Sequence, residues 1–160
     1  MRVSVRVARV SDAEDIRELT FQLGYEVDVP TVVERLSRIL QRSDQQFIVA
    51  ELDGRLGGWV HAVIPEYIES GRFVAVGGLV VDRHHRMKGI GRTLMEQVEA
   101  WAKSQGCLIV RLSSSSTRTT SHKFYEHLGY MNIKTQYSFI KSLDAAQLND
   151  VRKFIPKVDK

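Results

Sequence analysis

The chain has 160 residues, the usual size of one domain, and its 43% apolar and 26% charged content excludes a disordered or collagen-like polymer. A single cysteine, Cys107, excludes an internal disulfide and a multi-cysteine zinc site, and the longest apolar run, Phe73 to Val81, falls far short of the ~20 residues that span a bilayer. A net charge of +4 is too mild to mark a polyanion-binding surface, and Arg2, Arg6 and Arg9 interrupt any apolar leader, so one soluble, cytoplasmic domain over residues 1–160 is expected.

Alternating Val3, Val5 and Val7 predict a first strand. Ser11 to Glu14 has the pattern of a capping box, followed by a helical stripe of Ile16, Leu19 and Leu23 that Gly24 stops. A second helix is predicted from about Thr31, through Val32, Leu36, Ile39 and Leu40. Gln46 to Leu52 and Leu56 to Ile64 read as strands joined at Asp53-Gly54-Arg55, a hairpin signal. After a loop at Pro65 to Gly71, the run Phe73 to Val81 reads as a strand buried on both faces. Ile90, Leu94, Val98 and Trp101 form a strong helix ending near Gly106, and Leu108 to Leu112 is a further strand. Ser121 to Leu128 is a short helix closed by Gly129, Gln136 to Lys141 a final strand, and 144–160 a short closing helix.

Chemistry concentrates where the buried strand meets the long helix. Between Asp82 and Arg92 lie Arg83, Arg86 and Lys88 without an acid, and Gly89 and Gly91 open the helix. Glycines allow a ligand close to the backbone, and the first amides of a helix lack internal partners, so this is an anion site suited to a phosphate or pyrophosphate. No Gly-x-x-x-x-Gly-Lys-Ser/Thr string occurs, and a dinucleotide fingerprint would need glycine where Leu94 stands. The string Arg86-Met87-Lys88-Gly89-Ile90-Gly91 instead fits Arg/Gln-x-x-Gly-x-Gly/Ala after a buried strand. Here the sequence resembles the GNAT superfamily, the GCN5-related N-acetyltransferases. Gly77 to Asp82 looks like that family's fourth strand, and Ser121 to Tyr130 like its A-H-x-F-Y-x-x-L-G-Y/F helix and turn. Leu23-Gly24-Tyr25 before a second helix looks like a common subgroup.

The resemblance implies an α/β fold whose mixed, mostly antiparallel sheet is flanked by helices and splayed between its fourth and fifth strands, near 79–82 and 111–115. It implies acetyl transfer from acetyl-CoA to an amine, by direct attack in a ternary complex. Arg86, Met87, Lys88, Gly89, Ile90, Gly91 and Arg92 would hold the CoA pyrophosphate. Leu79, Val80 and Val81 would meet the pantetheine arm, and Ser115 and Arg118 would line the groove, Ser115 standing near the Asn of many relatives. The Leu79 amide would stabilise the oxyanion, and Tyr125 would lie near the sulfur and protonate the thiolate. Tyr25, Glu26, Trp59, His61 and the 65–71 loop would contact the acceptor.

Ala75 stands where relatives carry a strand carboxylate, so the candidates for general base are His61, Glu66, Glu69, Glu26 and Asp28. His84 and His85 read as exposed loop residues, His122 as a packing or capping residue, and Cys107 as a structural thiol; no metal site is expected. The expected partner is a small-molecule or peptide amine, with neither nucleic acid nor membrane, and a second copy of the chain through its last strands or C-terminal segment. The alternative reading is a catalytically weak acetyl-CoA-binding regulatory module.

Overall fold

The computed structural model describes residues 2–144, 146 and 151–155. They form two compact units, one running to Arg111 and the other spanning Leu112–Ile155. In chain order the first unit contains strand β1 (Val3–Val7), helices α1 (Ala13–Leu23) and α2 (Val29–Leu40), and strands β2 (Gln45–Leu52) and β3 (Arg55–Val63). A small hairpin of β4 (Glu66–Tyr67) and β5 (Gly71–Arg72) follows, then β6 (Val74–Val81), α3 (Ile90–Ser104) and β7 (Val110–Leu112), at whose last residue the second unit begins. The second unit holds helix α4 (Thr119–His127). Among the described residues no helix is long and apolar enough to cross a membrane.

The sheet order is β1-β2-β3-β6-β7, and β1 with β2, β2 with β3 and β3 with β6 pair antiparallel. Helices α1 and α2 cover one face. Ile16 and Leu19 of α1 and Val32 and Leu36 of α2 pack there with Phe47, Val49, Trp59 and Val80 from the strands. On the other face α3 approaches closely because β3 carries two glycines. A Cβ at Gly58 would lie 2.7 Å from the Val80 carbonyl oxygen and 3.2 Å from Leu94, and one at Gly57 would lie 3.0 Å from Ile90. The helix that opens at the glycine loop is thereby pressed onto the sheet at its first turn. Its far end closes with the Cys107 amide donating to the Ala102 carbonyl at 2.8 Å, which leaves Cys107 2% exposed.

Two bulges interrupt the ladders. Ala50 pairs with Gly58 but Glu51 with Leu56, leaving Gly57 over, and His61 pairs with Gly78 but Ala62 with Val76, leaving Gly77 over. The carbonyl of Gly57 accepts instead from the Asp82 amide at 2.9 Å. Such bulges bend a strand and remove a residue from its ladder.

Several elements differ from the sequence reading. Ser11 caps nothing: a turn at Val10–Asp12 comes first, and the Asp12 carboxylate accepts from the Arg9 amide at 2.7 Å and from both Arg6 terminal nitrogens at 2.8 and 2.9 Å. Helix α2 starts two residues before Thr31, because Asp28 accepts from the Thr31 amide at 2.8 Å. Strand β6 is buried only at Val74 and Val80; Gly77 is exposed. Strand β7 is shorter than predicted, with Leu108 and Ile109 exposed, and the 65–71 loop contains a strand pair. The final strand at Gln136–Lys141 is not formed: 130–142 carries neither strand nor helix, and Tyr137 and Phe139 are exposed. Most of the closing helix predicted over 144–160, Leu148 included, lies outside the described residues; 151–155 holds one 3-10 turn, Arg152–Phe154.

Candidate active site

The glycine loop is built from the end of β6 outward. Asp82 caps the turn Arg83–His85, accepting from the His84 amide at 3.2 Å, and its other oxygen lies 2.8 Å from His85 Nδ1. Burial pushes the Asp82 carboxyl up, but the His84 amide, the His85 ring and Gln22 outweigh it and hold it below the usual carboxylate range. Gln22, the penultimate residue of α1, grips the loop with both ends of its amide. Its nitrogen donates to Asp82 at 3.4 Å, and its oxygen accepts from the Arg83 amide at 3.0 Å.

Beyond this anchor Met87 adopts φ 62 with its side chain fully exposed, and Gly89 adopts φ 81 as the N-cap of α3. A left-handed N-cap position favours glycine, since any Cβ is strained there. The first helical bond runs from Thr93 to Gly89, so the amides of Ile90, Gly91 and Arg92 precede the helical ladder, while the Ile90 side chain is 1% exposed beneath them. Arg83, Arg86, Lys88 and Arg92 belong to the same loop and first turn; Arg86 Nε donates to the Val81 carbonyl at 3.5 Å, and among the described residues none of the four is ion-paired with a carboxylate. Uncommitted amides, the positive helix end and unneutralised cations fit a pyrophosphate.

Strand β6 presents Leu79 and Val81 half-buried and Val80 in the core, paired with Val60, Gly58 and Trp59 of β3 respectively. The Gly77 bulge lies two residues before Leu79, whose amide was expected to meet an oxyanion. Trp59 is a core residue, 7% exposed and 5.0 Å from Phe47. Its indole N–H is buried without a partner among the described residues. His61 is half-buried on the same strand, with Nε2 2.9 Å from Gln45 Oε1 and its ring 5.5 Å from Phe47; burial lowers its pKa from the ordinary value.

Tyr25 and Glu26 follow α1. Glu26 lines an open groove of ≈ 550 Å³ together with Arg17, Val27, Asp28 and Val29, which brings two of the candidate carboxylates together. Glu66 and Glu69 lie on and beside the small β4–β5 hairpin and are exposed.

The second unit holds Ser115, Arg118 and Tyr125. The Ser115 carbonyl accepts from the Arg118 amide at 3.0 Å and from His122 Nε2 at 2.8 Å, so His122 ties the start of α4 to the serine run. Tyr125 is fixed from the other end. The Tyr130 amide donates to its carbonyl at 3.0 Å and Gly129 to Glu126 at 3.0 Å, with Gly129 at φ 91, the reciprocal closure that a left-handed glycine permits. The Tyr130 and Phe124 rings pack at 6.0 and 5.1 Å from that of Tyr125. Burial raises the Tyr125 hydroxyl's pKa and Arg118 opposes it, so the group carries its proton at neutral pH.

Two residues that hold the candidate site in place have no sequence signal. Gln22 meets the loop 60 residues away, and Gln45 reaches His61 only through a register that the Gly57 bulge resets. Among the described residues no group of three His, Cys, Asp or Glu is placed to hold a metal.

The family model described as Acetyltransferase (GNAT) family matches residues 12–130. The uncharacterized N-acetyltransferase YhdJ of Bacillus subtilis (strain 168) is 27% identical over 104 residues, 65% of this chain and 73% of that protein. Aminoglycoside N(6')-acetyltransferase type 1 of Acinetobacter genomosp. 13 is 28% identical over 109 residues, 66% of this chain and 70% of that protein. Among solved structures, AAC(6')-Iy in complex with the bisubstrate analog CoA-S-monomethyl-acetylneamine superposes with a TM-score of 0.80 at 23% identity, covering 89% of this chain and 99% of that one, a likeness of fold. Glucosamine-6-phosphate N-acetyltransferase from Arabidopsis thaliana gives 0.76 at 25% identity, covering 90% and 100%.

Proposed function

The chain belongs to the acetyltransferase (GNAT) family and is an acetyl-CoA-dependent N-acetyltransferase, and on that premise we propose that it acetylates the amine of a small cationic molecule by direct attack in a ternary complex. The observation that carries this reading is the loop between β6 and α3, where three amides that precede the helical ladder adjoin four cations with no carboxylate partner among the described residues. Residues 86–92 bind the pyrophosphate of acetyl-CoA through backbone amides and charge. Leu79, Val80 and Val81 of β6 receive the pantetheine arm, with the thioester against the bulged half of the strand and the Leu79 amide directed at the carbonyl oxygen. Negative charge grows on that oxygen as the amine attacks, and a fixed amide stabilises it more in the transition state than in the ground state. Ser115 and Arg118 contact the cofactor, and the protonated Tyr125 hydroxyl supplies the proton to the departing thiolate.

The acceptor is held beside the groove where Glu26 and Asp28 stand with Arg17, two carboxylates to one cation, which suits an ammonium group; Tyr25 and His61 are assigned to it as the sequence reading assigned them. Relatives that act on aminoglycosides by name support a small polyamine of that kind over a protein lysine. CoA thiol release, measured with kanamycin, spermidine, glucosamine and a lysine peptide, tests the reading beside thermal melts with and without acetyl-CoA. A ligand that binds only the folded state raises the melting temperature. The expected result is stabilisation by acetyl-CoA and turnover with at least one small amine. Stabilisation without turnover on any amine would leave only a binding module, and turnover confined to the peptide would overturn the acceptor class.

A further inference from the structure

We propose that His61 is the general base of the acetyl transfer, with Nδ1 as the proton-accepting atom and Gln45 as the residue that fixes this tautomer. The proposal rests on the reaction above, which places the thioester along β6. The tautomer follows from hydrogen-bond chemistry. His61 Nε2 lies 2.9 Å from Gln45 Oε1, and an amide oxygen can only accept, so Nε2 carries the hydrogen. In the neutral ring the lone pair is then on Nδ1.

That atom is turned to the bulge in the β3–β6 ladder. His61 is the β3 residue at the bulge, paired with Gly78 while Gly77 is left over. A Cβ at position 77 would stand 3.7 Å from Nδ1; because the residue is glycine, no side chain lies there against that atom, and Gly77 itself is exposed. Strand β6 carries no titratable side chain from Val74 to Val81, so it supplies no base of its own.

The ring's surroundings keep it neutral. From β2 it faces Gln45 and Phe47 and from β6 Gly77 and Gly78, none of them titratable. Burial alone lowers its proton affinity, with no carboxylate or cation among the described residues acting on it. At neutral pH Nδ1 is therefore unprotonated. As the amine nitrogen bonds to the thioester carbonyl carbon, one N–H proton passes to Nδ1. When the C–S bond breaks, its electron pair leaves on sulfur, which takes the Tyr125 proton. His61 then passes its own proton to water and Tyr125 regains one from water, an ammonium substrate having lost its extra proton to water before attack. Products are the N-acetyl amine, CoA thiol and, from an ammonium substrate, one released proton.

Two readouts test this. The imidazole nitrogen resonances of the parent protein, with His61 identified by its loss in His61→Gln, are expected to show the Nε2–H tautomer at pH 7; an Nδ1–H tautomer overturns the proposal without reference to any acceptor. In kinetics with the best amine of the panel, His61→Gln is expected to lower kcat about 10²- to 10³-fold and leave KM for acetyl-CoA within about twofold. The fall in kcat on acidification below the ordinary histidine pKa should vanish with it. Imidazole added to His61→Gly should restore at least about tenfold. A kcat within about threefold of the parent, or a loss that imidazole cannot relieve in a folded protein, overturns the assignment. Should His61 variants not fold, Gln45→Leu serves: kcat about 10-fold lower with both tautomers populated is expected, and an unchanged rate with Nε2–H retained removes Gln45's positioning role. Failure of the parent to bind acetyl-CoA or release its thiol, with the expected tautomer present, would instead sink the proposed reaction.

Discussion

Gly78→Ala isolates a steric constraint that holds β6 in place. A Cβ there would lie 2.9 Å from both Cη2 and Cζ3 of Trp59, whereas carbon atoms in contact settle about 3.5–4.0 Å apart. The overlap is therefore about 0.6–1 Å. The ring cannot yield, since it is 7% exposed and packed against Phe47 at 5.0 Å, so the strand or the core must shift. Overpacking of this kind costs about 1–3 kcal/mol. Alanine recovers about 0.5–1 kcal/mol through a less flexible unfolded chain, which leaves a net loss of about 1 kcal/mol at mid-range and about 2.5 kcal/mol at most. For a chain of this length that is roughly 2–4 °C in Tm at mid-range and about 10 °C at most. Urea and thermal melts of Gly78→Ala, Trp59→Phe and the double variant measure it as a cycle. Phenylalanine lacks the two offending atoms, and it also removes an indole N–H that is buried without a partner. Gly78→Ala should then be neutral or stabilising in the Trp59→Phe background, with coupling of about 1 kcal/mol or more. An equal cost in both backgrounds would refute the steric argument.

Three further outcomes are expected. Gly91→Asp places a carboxylate among the amides that open α3 and should weaken acetyl-CoA binding by at least about tenfold, the equivalent of 1.4 kcal/mol, by calorimetry; unchanged affinity in a folded variant would remove the phosphate site. Tyr125→Phe keeps the rings packed and should lower kcat about 10- to 10³-fold with acetyl-CoA affinity unchanged, whereas a rate within about twofold would show that the hydroxyl is not the acid. Arg6 holds the Asp12 carboxyl below its ordinary pKa, so its stabilisation is present above about pH 4 and is lost as pH falls through the lowered folded value. Asp12→Asn should lower stability at pH 7 and flatten the acid limb of a melting-temperature profile, and an unchanged acid limb would contradict this.

Local signals made most of the fold legible. The helical stripes of α1 and α3, the Asp53-Gly54 turn and the glycine loop are each written within a few consecutive residues, and they lie where expected. What was hidden depends on distance along the chain. Each bulge shifts pairing by one residue, and a one-residue shift changes which side chains share a face. A bulge-free hairpin would set Gln46 opposite His61 and conceal Gln45 altogether. Gln22 is similarly silent: glutamine on a helix reads as solvated until the loop it grips is seen. Trp59 shows the opposite case: a large aromatic expected at the acceptor is 7% exposed and fills the core under Gly78, a burial that its place in the sequence does not announce. The strand predicted at Gln136–Lys141 failed because alternation shows what could pair, and no pairing is formed there among the described residues.

The closure of α3 gives the molecule an internal clock. Cys107 is the only thiol in the chain, and its burial at 2% depends on the turn that folds it back onto Ala102. A disulfide reagent in solution reacts with the thiolate of an accessible cysteine, so in the native state it meets only thiol released from CoA. Slow labelling of Cys107 then reports how often the end of α3 opens. Run at increasing urea, the same reaction separates local fraying of that turn from global unfolding, because only the global opening steepens with denaturant. One colour change thus records turnover in minutes and opening over longer times.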